Sequence, residues 1–320
     1  MSSVVIRWVG ADGAVQTRSG SAVEPFPTTE GWVWVDVTAP DEPVLADLCR
    51  RYGFHTLAIE DVLHTQSRPK LDIYPEGLFL TWLAPRGLQG DGVTATEVDV
   101  FIGRHYLVTI HAEKNEVIET VASDVDRSMG QGPDWLLHAI IDRLVDATLP
   151  LVDSIGEQLS SIEDAMLAAS SRQEDLRSLH QVRRQLVRMH RIVAPERDIV
   201  RSFARESEVI GVDAYRYFQD IGDHIARALD SIETYQDVGA SVMDVYLSAQ
   251  NNRMNEIMKQ LTVVATIFMP LTLISGIYGM NVTSGMWPPL LAWWSFPFVV
   301  GVMALLAVVM ATYFRKKNWW

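Results

Sequence analysis

The chain has 320 residues, 48% hydrophobic and 21% charged, with 27 Lys and Arg against 40 Asp and Glu and a single cysteine. That length suits two or three domains, and so acidic a balance argues against nucleic acid as a partner, because phosphates attract basic surfaces. Cys49 standing alone excludes an internal disulfide and any Cys-x-x-Cys metal or redox motif, in keeping with a reducing cytoplasm.

The opening "MSSVVIRWVG" has no basic start followed by a long apolar core, so no cleaved signal peptide is expected. Residues 1–112 read as an α/β domain. Runs rich in Val, Ile, Trp and Phe predict strands at "VVIRWV", "WVWVDV", "GLFLTWLA", "EVDVFIG" and "HYLVTIH". Helices are expected between them at "DEPVLADLCRRYG" and "HTLAIEDVLH". Residues 113–210 read as helical. Pro133 opens a helix that continues to "SSIEDAML", and a basic, polar helix around "SLHQVRRQLVRMHRIVAPERD" follows as the second arm of a hairpin.

Residues 211–260 read as a stalk. Ile221, Ala228, Tyr235, Val242 and Ala249 recur every seven residues, with Ile225, Ile232, Gly239 and Tyr246 four later in each heptad. That is an a/d seam, imperfect at Gly239. No loop signal separates it from the apolar segment beyond, so one helix is expected from about Asp213 to Ser275, roughly 90 Å at about 1.5 Å per residue. Asp223, Asp230, Asp237 and Asp244 repeat every seven on the same helix, and Asp213 and Asp220 form another such pair. These acids fit either the solvated flank of a coiled coil or a cation-attracting stripe, each Asp a ring around a symmetry axis.

From Leu261 to Phe314, 54 residues pass without Asp, Glu, Lys, Arg or His. The residues before them hold 24 basic and 40 acidic side chains, a net charge of −16. A bilayer needs about 20 apolar residues per helix, and two such spans are predicted, at 261–278 and 293–314. The linker 279–292, "GMNVTSGMWPPLLA", is rich in helix-ending residues. Arg253 and Lys259 precede the first span, and the tail 315–320, "RKKNWW", follows the second. The positive-inside bias therefore puts both termini in the cytoplasm and the linker outside. Trp293, Trp294, Trp319 and Trp320 read as interfacial anchors.

Along the first span, Asn255, Met258, Thr262, Ala265, Met269, Thr272 and Gly276 follow one another at spacings of three or four, with Leu261 beside them. Such a stripe of small, hydroxyl and thioether side chains serves either helix packing or a pore. No nucleophile–base pair, phosphate-binding Gly-rich loop or His-x-x-x-His motif occurs in residues 1–210, so an enzyme is not expected. His111, His138 and Cys49 read as structural.

"NNRMNEIMKQLTVVATIFMPLTLISGIYGMN" and "YFRKKNWW", with the order of acidic α/β domain, helices, stalk and two spans, resemble the CorA-type divalent cation transporters. The resemblance covers essentially the whole chain. It implies an α+β cytoplasmic domain, a long stalk helix and a transmembrane hairpin in the cell membrane. It further implies a homopentameric channel for Mg²⁺, with Co²⁺ or Ni²⁺, Mg²⁺ being both substrate and regulatory ligand with no resident cofactor. Carried across, Gly279, Met280 and Asn281 form the selectivity loop, with Asn281 the ring ligand. Asn255, Met258, Leu261, Thr262, Met269 and Thr272 line the pore, Met258 and Leu261 as a hydrophobic constriction. Asp61 and Asp220 match one regulatory carboxylate pair; Glu60 and Asp142 match a second site. Many Mg²⁺-transporting members continue the motif with Met-Pro-Glu, whereas this chain has no acid in its loop. That departure keeps a Zn²⁺ transporter of the same superfamily as the alternative.

Overall fold

The structure is a computed structural model that describes residues 2–9, 14–23, 31–64, 68–89, 92–125, 129–167, 173–206, 208–280, 293–317 and 319. Two compact units are present, residues 1–242 and 243–320.

The first unit is built on a seven-stranded sheet. Its strands are β1 (Ser3–Val9), β2 (Val15–Gly20), β3 (Val33–Thr38), β4 (Lys70–Tyr74), β5 (Gly77–Gln89), β6 (Gly92–Gly103) and β7 (Tyr106–His111), in the order β2-β1-β3-β7-β6-β5-β4. All neighbours are antiparallel except β3 and β7. The five expected strands fill the centre. The two strands absent from the sequence reading, β2 and β4, are the two edges.

Strand alternation gives the sheet two faces. Val33, Val35, Val37, Phe79, Phe101, Val108 and Ile110 pack with helices α1 (Glu42–Tyr52) and α2 (Thr56–Leu63). Asp41 caps α1 by accepting from the Val44 amide at 3.1 Å, and Gly53 ends it in the left-handed region at φ 72°. On the other face Trp34, Asp36, Thr109 and His111 form a buried polar chain. Trp34 Nε1 donates to Thr109 Oγ1 at 3.0 Å, Thr109 donates to Asp36 Oδ1 at 2.6 Å, and His111 Nε2 lies 3.0 Å from the same oxygen. Burial works against charging His111, but its bonds to Asp36 outweigh that and hold its pKa above the ordinary value.

Helix α3 (Glu116–Ser123) leads to the hairpin of α4 (Pro133–Leu167) and α5 (Gln173–Ser202), which contact the central and β4-side strands. The opening of α4 at Pro133 is where the sequence puts it. A 67-residue helix follows, α6 (Val212–Tyr278), three residues longer at its end than expected. The first heptads of the seam are buried within this chain, Ile221, Ile225, Ala228 and Ile232 being 3% exposed or less, whereas Ala249 at its far end is exposed. Its imperfection at Gly239 sits beside Leu159 and Arg183, and Tyr235 crosses Gly156 so closely that a Cβ there would meet its ring at 2.4 Å. The upper seam is thus a packing face toward α4 and α5 of the same chain. Glu196 of α5 is 1% exposed, and burial alone holds its carboxyl well above the usual range.

The second unit contains the end of α6 and α7 (Ser295–Lys316). Both helices are long and apolar enough to cross a membrane. Of the four expected anchors, Trp293, Trp294 and Trp319 are at least partly exposed, Trp293 at 90%; Trp320 lies outside the described residues.

Asp99 of β6 gives the first unit a titration signature. It is 4% exposed and accepts from Thr81 Oγ1 at 2.8 Å. Burial, aided by Glu97 and Asp61 and opposed by Thr81 and Lys70, pushes its carboxyl up to about 7. The raised value means that the contribution of Asp99 to folding is fully present below its unfolded range and is lost as pH rises from there through about 7. Asp99→Asn keeps the bond to Thr81 without the charge. In thermal unfolding of the purified protein, its stability relative to the parent should therefore grow from about pH 4 to about pH 8 by on the order of 3 kcal/mol. Parallel pH profiles for the two proteins would contradict this.

Candidate functional site

Along α6, Asn255, Met258, Leu261, Thr262, Met269 and Thr272 are all exposed, Leu261 at 68% and Met269 at 72%. The covered residues lie on another face: Val263 is buried, and Ile267, Leu271 and Ile274 are partly so. At about 100° per residue this face lies across the helix from the exposed stripe.

The hydroxyls of the stripe are satisfied locally. Thr262 donates to the Met258 carbonyl at 2.7 Å and Thr272 to the Phe268 carbonyl at 2.8 Å, one turn back. Pro270 has no N–H, so the Thr266 carbonyl loses its usual partner. The helix closes where the Gly279 amide donates to Ser275 O at 2.9 Å and the Met280 amide to Ile277 O at 3.2 Å. Met280 is exposed. Asn281, the expected ring ligand, lies outside the described residues, as does the rest of the linker to residue 292.

The first unit holds a second arrangement. Asp142 and Asp146 stand one turn apart on α4, and Asp220 and His224 one turn apart on α6. His224 Nδ1 lies 3.8 Å from Asp146 Oδ1, and His224 Nε2 lies 3.7 Å from Asp220 Oδ2. One ligand atom from each of Asp142, Asp146 and His224 falls within 4.8 Å of the others. His224 Nδ1 is buried without a hydrogen-bond partner, which suits a further atom between it and the carboxylates. Burial and then Asp146 raise the pKa of Asp142, while His138 and His224 oppose the rise. Carboxylate and imidazole together suit a divalent ion, the imidazole favouring transition ions such as Co²⁺ or Zn²⁺ over Mg²⁺.

The structure therefore brings Asp142 and Asp220 to one cluster. Asp61 lies elsewhere, on α2, where Lys70 donates both to it and to Asp72. Glu60 is exposed on the same helix. Asp146 and His224 are missing from the sequence reading. The signal was present as two i,i+4 pairs, but only the packing of α4 against α6 shows that the pairs meet.

A family model for CorA-like Mg²⁺ transporter proteins matches residues 29–316. The cobalt/magnesium transport protein CorA of Thermotoga maritima is 31% identical over 314 residues, covering 95% of this chain and 88% of the relative. The zinc transport protein ZntB of Yersinia enterocolitica is 25% identical, over 78% of this chain and 76% of its own length. Among solved structures, the CorA magnesium transporter from Methanocaldococcus jannaschii superposes with a TM-score of 0.83 at 23% identity, covering 99% of this chain and 98% of the other.

Titration of the purified protein with Co²⁺ by calorimetry tests the cluster. Asp146→Asn and His224→Ala should each lower the affinity of one site in the first unit by about tenfold or more, as loss of a ligand does. Unaltered binding in both variants would remove the cluster as a metal site.

Proposed function

The chain belongs to the CorA-like Mg²⁺ transporter family, and from that premise we propose that it is a homopentameric channel that passes Mg²⁺, with Co²⁺ or Ni²⁺, across the cell membrane. The observation that carries the reading is the exposed neutral stripe of α6, set across the helix from its covered face. Around a shared axis, this stripe lines the pore.

Mg²⁺ gives up its waters reluctantly, so the pore handles a largely hydrated ion. A ring of Asn281 carboxamides accepts hydrogen bonds from that water and holds the ion without the deep well that a carboxylate ring would create. Gly279 and Met280 shape the turn into the ring. Thr262 and Thr272 offer hydroxyl oxygens along the path, and Asn255 a carboxamide at its cytoplasmic end. Met258 and Leu261 form an apolar constriction that hinders a hydrated ion. The termini lie in the cytoplasm.

Regulation belongs to the carboxylates. Asp61 of one subunit and Asp220 of its neighbour attract a divalent cation between them when cytoplasmic Mg²⁺ is high. Without it, like charges repel and loosen the interface. Glu60 of one subunit and Asp142 of its neighbour contribute to a second site, which Asp146 and His224 complete beside Asp142. The unpartnered Nδ1 of His224 supports that donor set.

A Zn²⁺ transporter is the second reading. Two observations favour it: the sequence "GMNVTSGMWPP" carries no acid after the motif, and His224 supplies a nitrogen donor to the cluster.

Uptake of Mg²⁺, Co²⁺, Ni²⁺ and Zn²⁺ into liposomes by purified protein separates these readings. Asn281→Ala should abolish most selective flux; full flux in this variant, or no flux of any metal in the parent, would overturn the pore. Asp61→Asn and Asp220→Asn should each weaken inhibition by Mg²⁺ on the cytoplasmic side. Normal inhibition in both would remove the bridging pair.

A further inference from the structure

The face of α6 opposite the exposed stripe meets α7 without closing on it. Ala307 and Ala311, one turn apart on α7, leave an apolar groove of about 480 Å³ whose other wall includes Val263 and Ile267 of α6. The groove ends at Gln260 and Trp319, and cations gather at that end. Lys259 Nζ lies 5.8 Å from the centroid of the Trp319 ring and Lys317 Nζ lies 5.9 Å from that of Tyr313. Arg315 and Lys316 are exposed in the last turn of α7.

We propose that this groove binds an anionic phospholipid, with an acyl chain against Val263, Ile267, Ala307 and Ala311 and the phosphate beside Lys259 and the Arg315–Lys317 run. The placement rests on the pore reading: if the exposed stripe faces an axis, the opposite face points toward the bilayer, where the solvent is lipid. Apolar walls accept any acyl chain, so the selection comes from the headgroup. Trp319 and Tyr313 mark this end as interfacial, the depth at which a phosphate lies. A neighbouring subunit's helix offers the same apolar chemistry, but its span from Leu261 to Phe314 has no acid to meet these cations. A phospholipid phosphate meets them directly.

Native mass spectrometry of the purified full-length protein, titrated with phosphatidylglycerol or phosphatidylcholine, counts bound lipids and subunits together. The parent should retain phosphatidylglycerol in preference. Lys259→Gln combined with Lys317→Gln should reduce that preference by about fivefold or more, and Ala311→Phe, which fills the groove, should reduce retention of both lipids. Equal retention of the two lipids by the parent, or unchanged retention in Ala311→Phe, overturns the proposal. Loss of subunits from the Ala311→Phe assembly assigns the groove to a second copy and also overturns it. Metal flux by the parent in liposomes reads the pore separately, since lipid retention needs no transport.

Discussion

A membrane interior contains no water to satisfy peptide groups, and this constraint shapes the chain more than any single contact. Every N–H and C=O in a spanning segment needs a partner within the helix. From Val212 to Tyr278 the chain meets that demand with one unbroken helix, relaxed only at Pro270. The threonines of the span bond to carbonyls one turn back, so none of their hydroxyls is left as an unsatisfied donor, and those of Thr262 and Thr272 add polarity to the stripe. The helix ends where Gly279 and Met280 bond back to Ser275 and Ile277, at the entry to the Gly-Met-Asn motif.

The same helix carries different surfaces in its two parts. In the first unit its apolar seam is buried against α4 and α5, and glycine at 156 admits the Tyr235 ring. Its acids stay outside: Asp213, Asp220, Asp223, Asp230 and Asp237 are all exposed, as is Asp244 just beyond the first unit. In the span no ionisable Asp, Glu, Lys, Arg or His remains. Charge is therefore concentrated where water can screen it and where a divalent cation can be held. Two acids expected to act as ligands have different neighbours within one chain. Lys70 is shared between Asp61 and Asp72, whereas His224 stands between Asp220 and Asp146 at distances too long for hydrogen bonds.

The strands legible from residue pattern are those whose side chains are buried. "WVWVDV" and "HYLVTIH" supply the parallel centre of the sheet, and their apolar content announces it. "VQTRSG" forms β2 at one edge with nearly every residue exposed, so no alternation marks it; "KLDIY" forms β4 at the other, short and half-buried. Helix α6 was legible because its seam and its apolar span share one frame without a break. The direction of that seam was not legible, since periodicity shows that a face is covered but not whether the cover comes from this chain or another.

The sequence by itself determined the two spans, the long helix and the neutral stripe, because these depend on spacing and on the absence of charge over tens of residues. Resemblance supplied the roles proposed for Asn281 and for Glu60, Asp61, Asp142 and Asp220. Only the tertiary structure decided that Asp142 and Asp146 meet Asp220 and His224, that Asp61 is held by Lys70, and that Asp99 titrates near neutrality. The physical reason is one of range. Helical periodicity and hydropathy are properties of chain neighbours, whereas a cation cluster or a shifted carboxyl depends on distances of a few ångströms between residues far apart in sequence, which packing alone sets.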